Sequence, residues 1–221
     1  MTTTTFTAQC VRIPPSKATE FMDPPEFGAI VGISIDRTET PSPDPRVDES
    51  DPFATASPRR CFVEPNTILA VVGHTEMVSL DSTRRPSALG YDSDAELRRQ
   101  QPQIFELIAT EFTGLFISHS DETGMLQYHI PPTPPRLHDR VRLCDASATA
   151  AATADLRFMR RILRGDMPQA PSEELCAAIV RRGFRARNGD AEYLTDAARQ
   201  IAEIVGADYD RLRRILAASM E

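Results

Sequence analysis

The apolar positions of the first 146 residues recur at the period-two spacing of β-strands. Residues 27–35 (FGAIVGISI) place Val31, Ile33 and Ile35 at every second position, and Gly28 and Gly32 among them indicate a bulge or tight bend. Residues 67–80 are apolar and β-branched, and we expect Gly73 to interrupt them, giving two strands. The predicted strands are residues 6–13, 27–35, 67–72, 76–80, 112–119, 125–130 and 141–144.

Two short helices are predicted between the strands. Ser93 is a candidate N-cap for a helix that ends near Gln101, because a serine hydroxyl accepts a free N–H of the first turn. Pro102 suits the start of a second helix, and apolar residues then recur at helical spacing until the pattern changes at Phe112. Four prolines in residues 131–135 predict an extended crossing segment.

The apolar spacing becomes helical after Cys144. It predicts four amphipathic helices: one over residues 147–164, one capped by Ser172, one begun by Asp190 and ended by Gly206, and a last one that contains Tyr209. The predicted fold class is therefore α+β, with a small N-terminal β-barrel followed by a C-terminal helical bundle. The predicted domains are residues 1–146 and 147–221, with a mobile, proline-rich loop at 36–60 inside the first.

The composition argues against some classes of protein but indicates no reaction. The 221 residues carry a net charge of −7, and the acidic excess lies before residue 151. Four cysteines without CxxC spacing argue against a disulfide-dense secreted module. The sequence shows neither a signal-peptide pattern nor an apolar run long enough to cross a bilayer, so we expect a cytoplasmic protein without a membrane partner.

The sequence lacks three motifs that mark known catalytic or nucleotide-binding sites. Lys17, the sole lysine, does not follow a GxxxxG loop, and neither GxGxxG after a strand nor GxSxG occurs. The histidines at 74, 119, 129 and 138 show no metal-binding spacing. We therefore predict no enzyme activity, no cofactor and no metal, with a small hydrolase that uses a hidden Cys or His as a third option.

Arginines are frequent in the helical part, where 12 basic and 11 acidic residues follow residue 150. A nucleic-acid-binding face is one interpretation of the first group, and a solvated face paired with nearby acids is the other. The near-neutral balance and the lack of interleaved aromatics favour the solvated face. The candidate nucleic-acid contacts are Arg157, Arg160, Arg161 and Arg164.

Four segments in order, GAIVG, ILAVVGHTEMV, PQIFELIATEFTGLFIS and PPTPPRLHDRVRLC, resemble the HAS-barrel. This small β-barrel stands at the N-terminus of HerA-type DNA-translocating ATPases and is similar to that of ATP synthase subunits. The resemblance covers about residues 25–146. The RecA-like ATPase domain of that family is replaced here by the helical segment, so its catalysis does not carry over.

The resemblance implies a non-enzymatic accessory or adaptor subunit that docks to a HerA-type translocase or a NurA-type nuclease in DNA processing or defence. The alternative is a nucleic-acid-binding protein that uses the arginine-bearing C-terminal helices. In the family the barrel forms ring contacts and docks partners. The resemblance is therefore also compatible with an oligomer of this chain. We place the predicted partner-binding surface on the barrel near Glu111, Arg136 and His138, where the strands adjoin irregular backbone.

Overall fold

The structure is a computed structural model, which describes residues 4–10, 24–35, 63–79, 90, 92–101 and 108–220. It has the predicted α+β class, with a sheet followed by C-terminal helices. The predicted mobile loop at 36–60 lies outside the described residues. The strands are β1 (Thr5–Gln9), β2 (Ile30–Ser34), β3 (Thr67–Ser79), β4 (Ile108–Ser120), β5 (Leu126–Gln127) and β6 (Val141–Leu143). The helices are α1 (Asp94–Gln100), α2 (Ala146–Ala152), α3 (Met159–Arg164), α4 (Ser172–Arg185), α5 (Ala191–Val205) and α6 (Tyr209–Ser219).

The described strands form one antiparallel sheet of six strands. Their order is β1-β4-β3-β2-β6, and the short β5 also pairs with β4. The sheet is open along this order, with β1 and β6 at its two ends. The two long strands β3 and β4 therefore form its centre.

The prediction that Gly73 divides two strands is wrong. β3 runs without interruption through Gly73, which is the extra residue of a β-bulge, because Val72 pairs with Gly114 and His74 with Thr113. A second bulge places Ile117 of β4 opposite the Leu69–Ala70 step of β3. Bulges bend a strand and raise its local twist, so the sheet curves where the sequence indicated a break.

The predicted helix before Phe112 is wrong at its C-terminal end. Residues 108–111 belong to β4, where Glu111 is the register partner of both Gln9 and Glu76. Pairing on both sides satisfies the backbone groups of this segment as a strand, which overrides its helical apolar spacing. The returning strand predicted at 125–130 is reduced to Leu126–Gln127.

Alternating side chains of the sheet contribute to two buried clusters. One cluster joins sheet residues such as Leu69, Val71 and Leu115 to buried residues of the C-terminal helices, including Leu175 and Ile179. The other lies on the opposite face, where Phe6 stacks on Phe116 at 5.3 Å between ring centroids. The sheet and helices thus share a continuous core, although their sequence patterns differ.

The helix predicted over residues 147–164 is two helices, α2 and α3. The amide of Gln200 from α5 explains the break, since its Oε1 accepts the Leu156 N–H at 2.8 Å and its Nε2 donates to the Ala154 carbonyl at 3.2 Å. These bonds satisfy backbone groups that a continuous helix would pair internally. Arg157 consequently lies outside both helices, and the C-terminal part has five helices.

Several predicted helix ends are confirmed, but the predicted Ser172 cap is wrong, because Ser172 is the first residue of α4 and no side chain caps that end. The Ser93 hydroxyl accepts the Glu96 N–H at 3.2 Å, and the Asp190 carboxylate accepts the Glu192 N–H at 2.9 Å. Gly165 and Gly206 end α3 and α5 with positive φ angles. No helix in the described ranges has the length and apolar character that a bilayer crossing requires.

Candidate functional site

The segment of residues 136–143, which we call the β6 edge, leads into and includes the terminal strand β6. Its first turn is closed by Asp139, whose Oδ2 accepts the Arg136 N–H at 2.6 Å and whose N–H donates to the Arg136 carbonyl at 3.2 Å. His138 has a φ of 74°, a conformation uncommon for a residue with a side chain. This turn holds Leu137 in solvent with 76% of its surface exposed.

The β6 edge is both apolar and cationic at its surface. Leu143 is 61% exposed, although β6 pairs with β2 through Val141, Arg142 and Leu143. Arg136, Arg140 and Arg142 are also exposed. Within the described ranges, none of these three arginines lies within ion-pair distance of a carboxylate.

The structure does not bring all three predicted partner-binding residues together. Arg136 and His138 lie in the β6 edge, whereas Glu111 lies on β4, three strand positions away in the sheet order. Glu111 is the register partner of Glu76 on β3, and no ion pair joins it to Arg136. Glu111 therefore lies opposite a like charge, which is an unfavourable pairing in a sheet, and apart from Arg136 and His138.

The four candidate nucleic-acid contacts also fall into different surroundings. Arg161 is half-buried and donates from Nη2 to the carbonyl of Phe116, next to the bulge in β4. Burial lowers the pKa of Arg161, and its Nη1 is buried without a hydrogen-bond partner. Arg157 is exposed but held by Asp155, to which its Nε donates at 2.7 Å. Arg160 and Arg164 alone of the four are exposed and unpaired within the described residues.

Other arginines of the helical part bind C-terminal carbonyls of neighbouring helices. Arg187 donates to the Ala150 carbonyl in α2, Arg211 to the Leu163 carbonyl in α3, and Arg181 to the Ala218 carbonyl in α6. The last carbonyls of a helix have no intrahelical donor, so these side chains satisfy them. Much of the arginine content therefore stabilises packing between helices.

A pocket of about 260 Å³ opens between α3, α5 and α6, and we call it the α3–α6 pocket. Its apolar wall is formed by Leu163, Ile204 and Val205, which are half-buried. Its polar lining is Arg160, Arg164, Asp208 and Arg211. Arg211 is paired with Glu173 at 2.8 Å, and Asp208 accepts the Arg211 N–H at 3.0 Å as the N-cap of α6.

A larger cleft of about 460 Å³ lies at the turn between β4 and β5. His119 lines it and packs against His129, with 4.7 Å between the ring centroids. Burial lowers the pKa of His119. Asp121 is occupied by the turn itself, since its Oδ1 accepts the Thr123 hydroxyl at 2.6 Å and two backbone N–H groups, and these bonds lower its pKa. The described residues contain no group of three or more ligating side chains that could hold a metal ion.

The three described cysteines lack the features of a nucleophile. Burial raises the pKa of the Cys10 thiol, and it raises the pKa values of Cys144 and Cys176 to about 12. A catalytic thiol requires a lowered pKa to form the thiolate near neutral pH. Cys61 lies outside the described residues.

Sequence reasoning missed the exposed leucines and the pocket. The sequence predicts a strand at residues 141–144 but not its position at the end of the sheet. The exposure of Leu143 depends on that position. Leu137 lies between Arg136 and His138, which were both predicted to bind a partner. The available signal was a single apolar residue between two polar ones, close to four prolines. Comparison with protein-family models, curated proteins and solved structures found no match to the chain.

Proposed function

We propose that this chain is a cytoplasmic, non-enzymatic adaptor that docks a HerA-type DNA translocase or nuclease through the β6 edge. The observation that carries the proposal is the composition of that edge. It combines two strongly exposed leucines, Leu137 and Leu143, with three arginines that have no described carboxylate partner. Exposed apolar groups beside unpaired cations are typical of a surface that a protein partner covers.

The proposal includes coiling of the sheet into a HAS-type barrel that stays open between β1 and β6. Two bulges in the central strands and buried clusters on both faces support it, because bulges supply the curvature that a barrel requires. The helices already pack on one face through Leu69 and Val71. A partner therefore has access to the end of the sheet at β6 rather than to that face.

The position of β6 favours one mode of docking. β6 pairs with β2 and with no other described strand, so among the described residues its second side is open to an added strand. A peptide that pairs there gains main-chain hydrogen bonds, and its side chains contact Leu143 and Arg142. An acidic and partly apolar partner strand fits the charge of this edge.

The test is binding of the purified chain to the HerA-type ATPase and NurA-type nuclease of the same genome, measured by biolayer interferometry. Leu137→Asp with Leu143→Asp should weaken the complex at least tenfold, which is about 1.4 kcal/mol. Met77→Asp with Met220→Asp is the matched control, because both methionines are exposed outside the β6 edge, at 77% and 79%, and the change in charge is equal. Circular dichroism should show that all variants fold.

Two results would contradict the proposal. If neither protein binds the wild-type chain at micromolar concentration, the HerA-type assignment is wrong. If a partner binds and the double variant binds equally well, docking uses another surface. The nucleic-acid alternative stays a prediction that now rests on Arg160 and Arg164, and the binding of labelled DNA to the Arg160→Glu, Arg164→Glu variant tests it.

A further inference from the structure

Arg160 and Arg164 form a pair of uncompensated charges at the α3–α6 pocket. They are four residues apart on α3 and therefore lie on the same side of that helix. Like charges at this spacing destabilise an isolated helix. Neither has a carboxylate within ion-pair distance among the described residues, whereas Arg157, Arg199 and Arg211 each do.

The other charged groups of the pocket are already engaged. Arg211 is held by Glu173, and the Asp208 carboxylate caps the positive N-terminal end of α6. A guanidinium binds a carboxylate or phosphate through two parallel hydrogen bonds, so Arg160 and Arg164 together suit a ligand with one or two oxyanion groups. The positive charges of Arg160 and Arg164 are thus not compensated by the other residues that line the pocket.

The apolar wall narrows the class of ligand. Leu163, Ile204 and Val205 come from two helices and are half-buried, so an aliphatic side chain that covers them removes further apolar surface from water. We propose that the α3–α6 pocket binds a short peptide segment in which an acidic side chain neighbours an aliphatic one. The carboxylate pairs with Arg160 and Arg164, and the aliphatic group packs on Leu163 and Ile204.

Charge distribution favours a peptide over nucleic acid. A nucleic-acid strand extends its charge far beyond one pocket, and this chain has a net charge of −7. At physiological salt the screening length is about 8 Å, so a single carboxylate in the pocket is influenced mainly by the nearby arginines. Phosphate-backbone binding also needs several cations along a track, and Arg161 and Arg157 are already bound to protein groups.

The experiment is selection of a random dodecapeptide phage library on the full-length chain, followed by fluorescence anisotropy with the enriched peptides. Arg160→Glu with Arg164→Glu is the test variant. Arg185→Glu with Arg213→Glu is the matched control, because both arginines are exposed on other helices and the change in charge is equal. Fluorescein-labelled 30-nucleotide single- and double-stranded DNA serves as the competing probe.

The enriched peptides should carry Asp or Glu beside Leu, Ile or Val. Their affinity should fall at least tenfold for the test variant, remain within twofold for the control, and decrease when salt rises from 50 to 300 mM. Enrichment of peptides without an acidic residue, or equal binding by the test variant, would overturn the proposal. DNA binding that the test variant alone loses would replace it with the nucleic-acid interpretation.

This inference does not depend on the proposed adaptor function. The Leu137→Asp, Leu143→Asp variant should retain peptide binding at the pocket, and the Arg160→Glu, Arg164→Glu variant reports on the pocket alone. If either the adaptor proposal or the pocket proposal fails, the other can still be tested.

Discussion

Replacement of Gly73 by alanine should destabilise the protein at the contact between β3 and the helical part. A β carbon at this position would lie 1.9 Å from the Met167 sulfur, 3.1 Å from Leu175 Cδ2 and 3.2 Å from Ala170 Cβ. Met167 is 2% exposed, so its side chain has no solvent into which it can move. The added methyl group therefore has to displace buried atoms of the shared core.

The magnitude follows from two opposing effects. Overpacking of a filled core costs about 1–3 kcal/mol. Alanine lowers the entropy of the unfolded chain relative to glycine, which stabilises by about 0.4–1 kcal/mol where the native backbone suits it, and Gly73 is not among the glycines with positive φ. The expected net loss is about 1–2 kcal/mol, or a fall in Tm of roughly 2–8 °C for a chain of this size.

Thermal and urea unfolding followed by circular dichroism measure this loss. Met167→Ala alone should cost about 2–5 kcal/mol because it leaves a cavity. The double variant should cost less than the sum of the single variants by at least ~1 kcal/mol, since the new methyl group occupies part of that cavity. Two results together would refute the close approach of the bulge to Met167. Gly73→Ala would leave the free energy of unfolding unchanged or raise it, and the effects of the two single substitutions would add in the double variant.

Three further predictions concern buried groups. Gly183→Ala should lower Tm even though alanine favours helices by ~1 kcal/mol, because its β carbon would lie 2.1 Å from the Tyr193 hydroxyl; a raised Tm in thermal unfolding would contradict this packing. The pKa of His119 is lower in the folded state than its usual value near 6.5, so the unfolded state binds more protons just below that pH. Stability should therefore fall as pH drops below about 6.5, and this slope should be smaller in His119→Gln; equal slopes in urea titrations would count against the shift. Because burial raises the pKa values of Cys144 and Cys176 to about 12, iodoacetamide at pH 8 should modify them in urea but not in the native protein, as peptide mass mapping checks; rapid native modification would argue against their burial.

The sequence by itself determined the α+β class and several helix ends. Period-two spacing in residues 27–35 and helical spacing after Cys144 depend on which side chains face a core, and that pattern is local. Ser93, Asp190 and Gly206 were located because capping is a property of a few neighbouring residues. Arg136 and His138 were singled out for the irregular backbone near the prolines, and both lie in the β6 edge.

Only the tertiary structure decided which of these residues lie together. Gly73 forms a bulge rather than a break because β4 pairs with β3 on both sides of it, and residues 108–111 become strand because β1 and β3 satisfy their backbone. Gln200 divides one predicted helix into two from 44 residues away. Arg160 and Arg161 are neighbours in the sequence, yet one lines an open pocket and the other binds a strand carbonyl. Such assignments depend on partners that are distant along the chain, and local spacing carries no information about them.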